Sequence, residues 1–341
     1  MNEKMKDQKP VALDPSPLMQ LSTAYWGSQT LLTANRIGLF EKLEQQEMDA
    51  EAIARALGTQ LRATRLLLKA CTALQLLEET PSGFRNSSMS RAFLVPGAPG
   101  FLGNAIRYSD NLYATWGELE DTLRTGTPPM ATEQYTGDDP ERTRHFVYGM
   151  HDRALGIGRA MLGLVDLSGR RQMLDVGGGP GTYSSLFARE YPDLHSRVLD
   201  LPGVAAIAEE IIASMGVADR VTTLPGDYLS DDYPGGNDVV LISGVFHRES
   251  EAGCRRLIER ARDSLVSGGL LVVSDVFTEA DGASPLFATL FGLNMLLTAA
   301  DGGVHSDRHV ADWMAESGFN QIHRKPFPEP MPHRIVMGTK L

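Results

Sequence analysis

Five titratable side chains lie where the strands of a predicted sheet end. They are Asp175, Asp200, Asp227, His247 and Asp275. Ligands of open α/β sheets bind beyond the carboxyl ends of the strands, so all five are expected along one crevice. Carboxylates there can accept hydroxyl or ammonium groups of a ligand, and an imidazole can take up a proton near neutral pH. The five positions together predict a ligand site with proton chemistry.

His247 is the candidate base at this crevice, because it follows directly on a strand expected to be buried. A carboxylate partner would fix the tautomer of the ring and stabilise the imidazolium that forms. Asp275, at the end of a neighbouring strand, is one candidate partner. Asp307 is a second, since Ser306 resembles an N-cap and would place Asp307 in a first helical turn, where it could instead only compensate the helix dipole. Glu249 is a third.

A glycine-rich turn, residues 177–181, follows the first predicted strand and precedes a predicted helix. Strand, glycine turn and helix start form a nucleotide-binding element, in which glycine lets the backbone approach a ligand closely. The dinucleotide fingerprint requires glycine at its first, third and sixth positions, but here Gly177 and Gly179 are followed by Thr182. Asp175, directly before the turn, would repel a pyrophosphate. The predicted ligand is therefore S-adenosylmethionine, an adenosine with a sulfonium and an ammonium group.

Two further acids are placed to contact the adenosine. Asp200 lies 23 residues after Gly177, where an acid accepts the ribose hydroxyls of either S-adenosylmethionine or NAD. Its alternative role is to cap the helix expected after Leu201. Asp227, after Gly226, could place its carboxylate or neighbouring backbone against the adenine, and a structural role in the turn is an equal alternative.

Predicted strands and helices alternate from residue 171 onward. The predicted strands are 172–176, 197–201, 220–224, 238–243 and 270–276, with a closing pair near 320–325 and 334–339. This alternation indicates an α/β domain with a doubly wound, mostly parallel sheet. The glycine turn and the five titratable residues then share one edge of the sheet.

The amino-terminal part has the pattern of a winged helix. Helices are predicted over 49–58 and 61–76, followed by a strand, a turn and a strand over 77–86. Arg62, Arg65 and Lys69 share one face of the second helix, which would suit a DNA-binding regulator. Because the chain is acidic, a solvated face and a domain that packs against a partner subunit are the favoured interpretation.

The middle of the chain is predicted to be helical and is rich in aromatic residues. We divide the chain into a winged-helix domain 1–98, a helical linker and pocket segment 99–168, and a ligand-binding domain 169–341. Phe146 and Met150 lie four positions apart in the middle segment and so share a helix face. Core packing is the simpler role for both, but either could reach an adenosyl ligand.

Composition narrows the class of protein. The 341 residues are 42% hydrophobic and 22% charged, as in ordinary globular proteins, and the net charge of −11 disfavours polyanions such as DNA. Residues 1–9 lack the apolar core of a signal peptide, and the apolar run 285–300 is short for a membrane span. Cys71 and Cys254 are far apart and lack metal-ligand spacing, which indicates free thiols, a reducing compartment and hence the cytoplasm.

With these motifs in place, the chain resembles the small-molecule O-methyltransferases of the plant caffeate and hydroxyindole type, which have many bacterial relatives. The resemblance covers nearly the whole chain. The segments that carry it are the amino-terminal winged helix, Trp116 with the loop 123–128, 174–181, 200–202, Gly226-Asp227, His247, Asp275 and Asp307. It implies a Rossmann-like class I methyltransferase domain, a sheet of seven strands, and a homodimer in which the amino-terminal domain of one subunit helps to close the pocket of the other.

The resemblance also implies roles for single residues. His247 would be the base for methyl transfer to a hydroxyl of an aromatic or polyketide-like acceptor, flanked by Asp275 and Asp307, where the family often has glutamates. The expected cofactor contacts are Asp175, Gly177, Gly179, Asp200, Leu201, Gly226, Asp227, Tyr228, Ser243, Phe146 and Met150. No nucleic acid, membrane or metal is expected as a partner.

The chain departs from the family pattern beside the base. The family usually has His-Asp-Trp where this chain has His247-Arg248-Glu249, and Ser243 replaces a lysine of the plant members. Some relatives hold a metal with the histidine and the following acid, which Arg248 argues against. Relatives on this fold also methylate carbon, and a few no longer transfer methyl groups. A nicotinamide dehydrogenase and a DNA-binding regulator are the rival functions.

Overall fold

The structure is a computed structural model that describes residues 13–130 and 140–341. The chain divides into two compact units, one that ends at Val95 and one that begins at Pro96. The finer division predicted at residue 168 stays a prediction. No helix within the described ranges is long and apolar enough to cross a bilayer. The cytoplasmic location also stays a prediction.

The first unit is mainly helical and carries one hairpin. Its elements are α1 Ser16–Thr23, α2 Tyr25–Arg36, α3 Leu39–Lys42, α4 Ala50–Leu57, α5 Leu61–Ala73, β1 Leu77–Thr80, β2 Gly83–Asn86 and α6 Ser88–Phe93. The carboxylate of Asp49 caps α4 by accepting the backbone N–H of Ala52 at 2.7 Å, and Gly58 ends the helix in a left-handed conformation. Strands β1 and β2 pair antiparallel. The order α4, α5, hairpin is that of the predicted winged helix.

The basic row of α5 is largely paired within its own unit. Arg65 forms an ion pair with Glu51 at 2.5 Å, and Lys69 forms one with Glu79 at 2.6 Å. Two of the three cations that would suit DNA are thereby compensated locally. This supports the interpretation of the row as a solvated face.

The second unit begins with helices and continues into the sheet. The helices that precede the sheet are α7 Gly103–Trp116, α8 Leu119–Thr125 and α9 Pro140–Leu162. The strands are β3 Gln172–Val176, β4 His195–Asp200, β5 Val221–Pro225, β6 Asn237–Ser243, β7 Leu265–Val276, β8 Phe319–Pro326 and β9 His333–Lys340. The helices between them are α10 Thr182–Glu190, α11 Pro202–Ser214, α12 Glu251–Ser264, α13 Leu286–Thr298 and α14 Asp307–Glu316.

The sheet has seven strands in the order β5-β4-β3-β6-β7-β9-β8. The pairs from β5 to β7 are parallel, and β9 pairs antiparallel with both β7 and β8. The apolar runs of β3, β6 and β7 are buried on both faces because helices cover both sides of a parallel sheet. The predicted doubly wound, mostly parallel sheet is confirmed. Asp175, Asp200 and Asp275 lie at the carboxyl ends of β3, β4 and β7, and His247 follows β6.

Gly83 should be indispensable to the first unit. A Cβ at this position would lie 2.2 Å from the backbone oxygen of Met48, and its φ of +146° disfavours other residues. We expect Gly83→Ala to lower the free energy of unfolding by about 3 kcal/mol. Gly58→Ala is the matched control: its φ is +64° but nothing lies within 4 Å, so the loss should be only ~1 kcal/mol. Equilibrium urea unfolding measures both, and equal losses would contradict the steric argument.

Candidate active site

The glycine turn between β3 and α10 is packed tightly on one side and open on the other. A Cβ at Gly177 would lie 2.6 Å from Cγ2 of Val245, and a Cβ at Gly178 would lie 2.6 Å from Cγ of Asp175. Gly179, at a φ of +53°, has nothing within 4 Å of its own Cβ position. The turn is therefore fixed from below by neighbouring side chains, while its outer side can approach a ligand.

Asp200, at the end of β4, fixes the outer side of the turn. One carboxylate oxygen accepts the backbone N–H of Gly179 and the other accepts that of Leu201, both at 2.8 Å. Burial raises the pKa of Asp200 to about 6, although these two N–H groups and the charge of Arg248 oppose the rise. Each oxygen has a further lone pair, so the carboxylate can still accept ribose hydroxyls. The N-cap residue of α11 is Leu201, whose own side chain makes no cap hydrogen bond, and Asp200 bonds the N–H of Leu201 itself.

Asp175 lies beneath the turn and has no exposed surface. One of its oxygens accepts the hydroxyl of Ser184 at 2.7 Å, and the other is buried without a partner among the described residues. Burial raises its pKa to about 7. The carboxyl group therefore ionises near neutral pH, and its negative charge then acts on a ligand at the turn from a buried position.

The segment after β5 joins the turn to the loop that follows β6. Gly226 donates its N–H to the carbonyl oxygen of Asp200 at 2.9 Å. The carboxylate of Asp227 accepts the N–H of Leu229 at 2.8 Å, a local bond that fits the structural alternative for this residue. The Tyr228 hydroxyl donates to Glu249 at 2.9 Å, and its ring would lie 3.5 Å from a Cβ at Gly177.

His247 and Asp275 are brought together as the sequence predicts. His247 lies in one turn of 3-10 helix, Phe246–Arg248, and its Nδ1 is 2.7 Å from Oδ1 of Asp275. Its backbone N–H also points to Oδ2 of Asp275 at 3.2 Å. Side-chain exposure is 16% for the histidine and 3% for the aspartate. Because Nδ1 is occupied, Nε2 is the nitrogen that can take a proton from a substrate.

The environment of Asp275 favours its ionised form. Burial by itself raises the pKa of this carboxyl group, but the charge and hydrogen bond of His247 and the backbone N–H groups of Val276 and His247 outweigh it. The net pKa is below the ordinary aspartate value. A carboxylate held ionised against Nδ1 stabilises an imidazolium.

The other two candidate partners of His247 are engaged elsewhere. Ser306 caps α14 as predicted, and the two oxygens of Asp307 accept hydrogen bonds from Arg324 at 3.1 Å and Arg334 at 3.2 Å. Glu249 accepts the Tyr228 hydroxyl. Hydrogen bonding to His247 is thus observed for Asp275, and Asp307 instead joins the start of α14 to β8 and β9.

The remaining predicted contacts are half-buried. Phe146 packs edge-on against Tyr108 with ring centroids 5.6 Å apart, and Met150 follows one turn later on α9. Ser243 ends β6 and Leu201 lies between β4 and α11. Their contact with a cofactor stays a prediction.

Two polar contacts at the site were not foreseen from the sequence. His151 Nδ1 lies 2.7 Å from the hydroxyl of Thr182, which begins α10 directly after the glycine turn. Trp116 Nε1 donates to Oδ1 of Asn294 at 3.0 Å. The rotation of α7, α9 and α13 decides these contacts, and no spacing in the sequence reveals it. Within residues 13–130 and 140–341 no group of three or more acidic, histidine or cysteine side chains could hold a metal.

Three features define a class I methyltransferase domain. They are a seven-stranded α/β sheet, a glycine turn hydrogen-bonded to an acid on the next strand, and a histidine-aspartate pair at the same edge of the sheet. Residues 116–320 match the O-methyltransferase domain family, and residues 19–96 match the O-methyltransferase dimerisation domain. The chain therefore belongs to the O-methyltransferase family. The predicted enzyme class, with S-adenosylmethionine as methyl donor, is confirmed.

Similar proteins include two from Streptomyces that align over almost their full length. The chain is 33% identical to 3-hydroxy-5-methyl-1-naphthoate 3-O-methyltransferase of Streptomyces sahachiroi, over 97% of each chain. It is 30% identical to the tetracenomycin polyketide synthesis 8-O-methyl transferase TcmO of Streptomyces glaucescens, over 96% of this chain and 97% of that one. The structure of human N-acetylserotonin methyltransferase in complex with SAM superposes with a TM-score of 0.86 at 24% identity, covering 96% of this chain and 99% of that one.

The buried carboxyl of Asp175 generates a pH prediction. Its folded pKa of about 7 lies above the ordinary 3.8, so the folded state binds more protons and this group's contribution to stability falls as pH rises from about 4 to 7. Asp175→Asn removes that dependence. Between pH 5 and pH 8 we expect the free energy of unfolding of the variant, relative to that of wild type, to increase by roughly 2.5 kcal/mol.

Equilibrium urea unfolding at pH 5 and pH 8 measures this offset, the difference in unfolding free energy between the variant and wild type. Asp232→Asn, at an exposed position, is the control for the loss of one negative charge. An offset for Asp175→Asn that is the same at pH 5 and pH 8 would show that the buried carboxyl does not titrate in this range.

Proposed function

We propose that His247 is the general base of the methyl transfer and that its Nε2 removes the proton of an acceptor hydroxyl. The observation that carries the proposal is the 2.7 Å bond between Nδ1 and Asp275, because it leaves Nε2 as the ring nitrogen that can take a proton. Asp275 holds the ring in place and stabilises the imidazolium. The predicted flanking role of Asp307 finds no support in its contacts, which go to two arginines.

The residues at the glycine turn fit S-adenosylmethionine, which when bound supplies a methyl group on a positively charged sulfur. Asp200 keeps acceptor capacity for the ribose hydroxyls, and the outer side of Gly179 has room for a ligand. We assign the rest of the binding surface to the predicted set, for which contact is our proposal. This set comprises Asp175, Gly177, Leu201, Gly226, Asp227, Tyr228, Ser243, Phe146 and Met150.

The proposed acceptor is an aromatic or polyketide-like molecule with a hydroxyl group. Phe291 packs edge-on against His247 with ring centroids 4.9 Å apart, and Phe287 stacks on Phe291 at 6.0 Å. Aromatic walls of this kind bind flat rings and hold an oxygen near the base. The two Streptomyces relatives are named for a hydroxynaphthoate and for tetracenomycin, which agrees with such an acceptor.

His247→Ala should remove the base and leave the cofactor site intact. We expect kcat to fall about 10²- to 10⁴-fold, the usual contribution of general base catalysis, while the Kd for S-adenosylhomocysteine changes less than about twofold. Transfer of a labelled methyl group to hydroxy-aromatic acceptors, beginning with 3-hydroxy-5-methyl-1-naphthoate, measures the rate. His309→Ala, an exposed histidine of α14, is the control. Turnover of His247→Ala close to wild type would exclude the base role.

We also infer that the first unit forms a homodimer with a second copy of the chain. Residues 19–96 match a dimerisation domain, and α1 has no buried residue. Large apolar side chains of α1 and α2 are exposed, among them Leu18 at 72%, Leu21 at 74% and Trp26 at 61%. Large apolar side chains exposed on two consecutive helices indicate a protein interface.

Substitution on this face tests the dimer. Leu21→Glu should shift the mass in solution from twice 37.2 kDa toward 37.2 kDa, because it places a charge in the apolar contact. Light scattering after gel filtration measures the mass. Leu123→Glu, on α8 at 63% exposure, should keep the dimer. A wild-type chain of 37.2 kDa at micromolar concentration would contradict the inference.

A further inference from the structure

Arg153 of α9 carries a charge that no carboxylate of the described chain compensates. Its Nη2 donates to the hydroxyl of Ser109 at 3.1 Å and lies 3.5 Å from the carbonyl oxygen of Ala105. Its Cζ lies 5.1 Å from the ring centroid of Tyr108. Nε and Nη1 have no partner within residues 13–130 and 140–341, although a guanidinium has five donors.

A second arginine of the same helix shows the contrast. Arg144 lies over the ring of Tyr148 at 5.0 Å, almost the same arrangement, but its guanidinium is paired with Glu210 at 2.7 and 2.9 Å. The chain has 43 acidic residues and a net charge of −11, so partners are abundant. Within the described ranges none of these acids pairs with Arg153, in contrast to Arg144.

Arg153 lies against helix α7. Its side chain is exposed to solvent, yet desolvation by the surrounding protein lowers its pKa. Many protein atoms are therefore near the guanidinium while water still reaches it. The contacts from α7 come from Ala105, Tyr108 and Ser109.

Helix α7 also connects the surroundings of Arg153 to His247. Tyr108 and Trp116 are eight residues apart, roughly 12 Å along a helix axis. Trp116 bonds Asn294 of α13, and Phe291, one turn earlier on α13, packs against His247. Burial lowers the pKa of His333 in β9 to about 4, Asp275 opposes this shift, and His247 and Arg153 add to it, so His333 is within electrostatic reach of all three.

We propose that Arg153 binds a carboxylate or an equivalent oxyanion on the methyl acceptor, with the acceptor hydroxyl at His247 and its acidic group toward α7. This rests on the proposed function and narrows the acceptor class to acidic aromatic or polyketide-like hydroxy compounds. The guanidinium can donate to a carboxylate from Nε or Nη1, the nitrogens without a partner among the described residues, and its charge strengthens that hydrogen bond. The neutral neighbours Ser109 and Tyr108 fix its orientation without neutralising its charge.

Equilibrium binding separates this proposal from the catalytic one. The complex of the enzyme with S-adenosylhomocysteine is titrated calorimetrically with 6-hydroxy-2-naphthoate and with its neutral methyl ester. Wild type should bind the acid about tenfold or more tightly than the ester. Arg153→Met keeps the length of the side chain but lacks the charge, so it should lose this preference while ester affinity changes less than about twofold. Arg144→Met is the matched control and should retain the preference, because Arg144 is already paired.

Arg153→Lys guards against failure of the methionine variant to fold. It keeps the charge without the planar fork, so acid affinity should fall between those of wild type and Arg153→Met. Equal affinity of wild type for acid and ester, undetectable binding of the acid, or an acid preference that survives in Arg153→Met would overturn the proposal. A tenfold loss of S-adenosylhomocysteine affinity in Arg153→Met would also overturn it, since the guanidinium would then serve the carboxylate of the cofactor. His247→Ala should keep the acid preference, so a failed base assignment is distinguishable.

Discussion

The hydrogen bond from Gly179 to Asp200 is the contact on which the ligand site depends. It joins the glycine turn after β3 to the end of β4, and the second oxygen of the same carboxylate holds the chain at Leu201. A turn of glycines would otherwise have large conformational freedom, and ordering it on binding would weaken affinity. Because Asp200 fixes the turn before the cofactor arrives, that entropy loss occurs during folding. In our proposal the remaining acceptor capacity of this carboxylate serves the ribose hydroxyls.

The site uses carboxyl groups in two electrostatic states. Asp175 and Asp200 are desolvated, and their pKa values rise to about 7 and about 6. Asp275 is equally buried but faces His247 and two backbone N–H groups, and its pKa falls below the ordinary value. The same residue type therefore titrates near neutrality beneath the glycine turn and stays ionised behind the base. The surroundings, not the residue type, decide which carboxylate can stabilise an imidazolium.

Local spacing predicted much of this arrangement from the sequence. The strand ends, the glycine turn, Asp200 and the pairing of His247 with Asp275 follow from rules about parallel sheets, in which neighbouring strands bring their carboxyl ends together. The partners of Asp307 could not be predicted, since they depend on how β8 and β9 return antiparallel beside β7. The depth of Asp175 and the direction of Arg153 depend on packing and on the rotation of α9 about its axis. Helical periodicity places a residue on a face but does not say what that face meets.

In our proposal His247 takes the proton of the acceptor hydroxyl, and the guanidinium of Arg153 affects that transfer in two opposite ways. A phenol has an ordinary pKa near 10 and an imidazole one near 6.5, so complete transfer of the proton to His247 would cost roughly 5 kcal/mol. A cation at Arg153 stabilises a phenolate but disfavours an imidazolium nearby, and an acidic group on the acceptor would neutralise that cation. The ionised Asp275, 2.7 Å from Nδ1, stabilises the imidazolium. Under the two proposals each cation has its own counter-charge: the acidic group of the acceptor serves the guanidinium of Arg153, and Asp275 serves the imidazolium of His247.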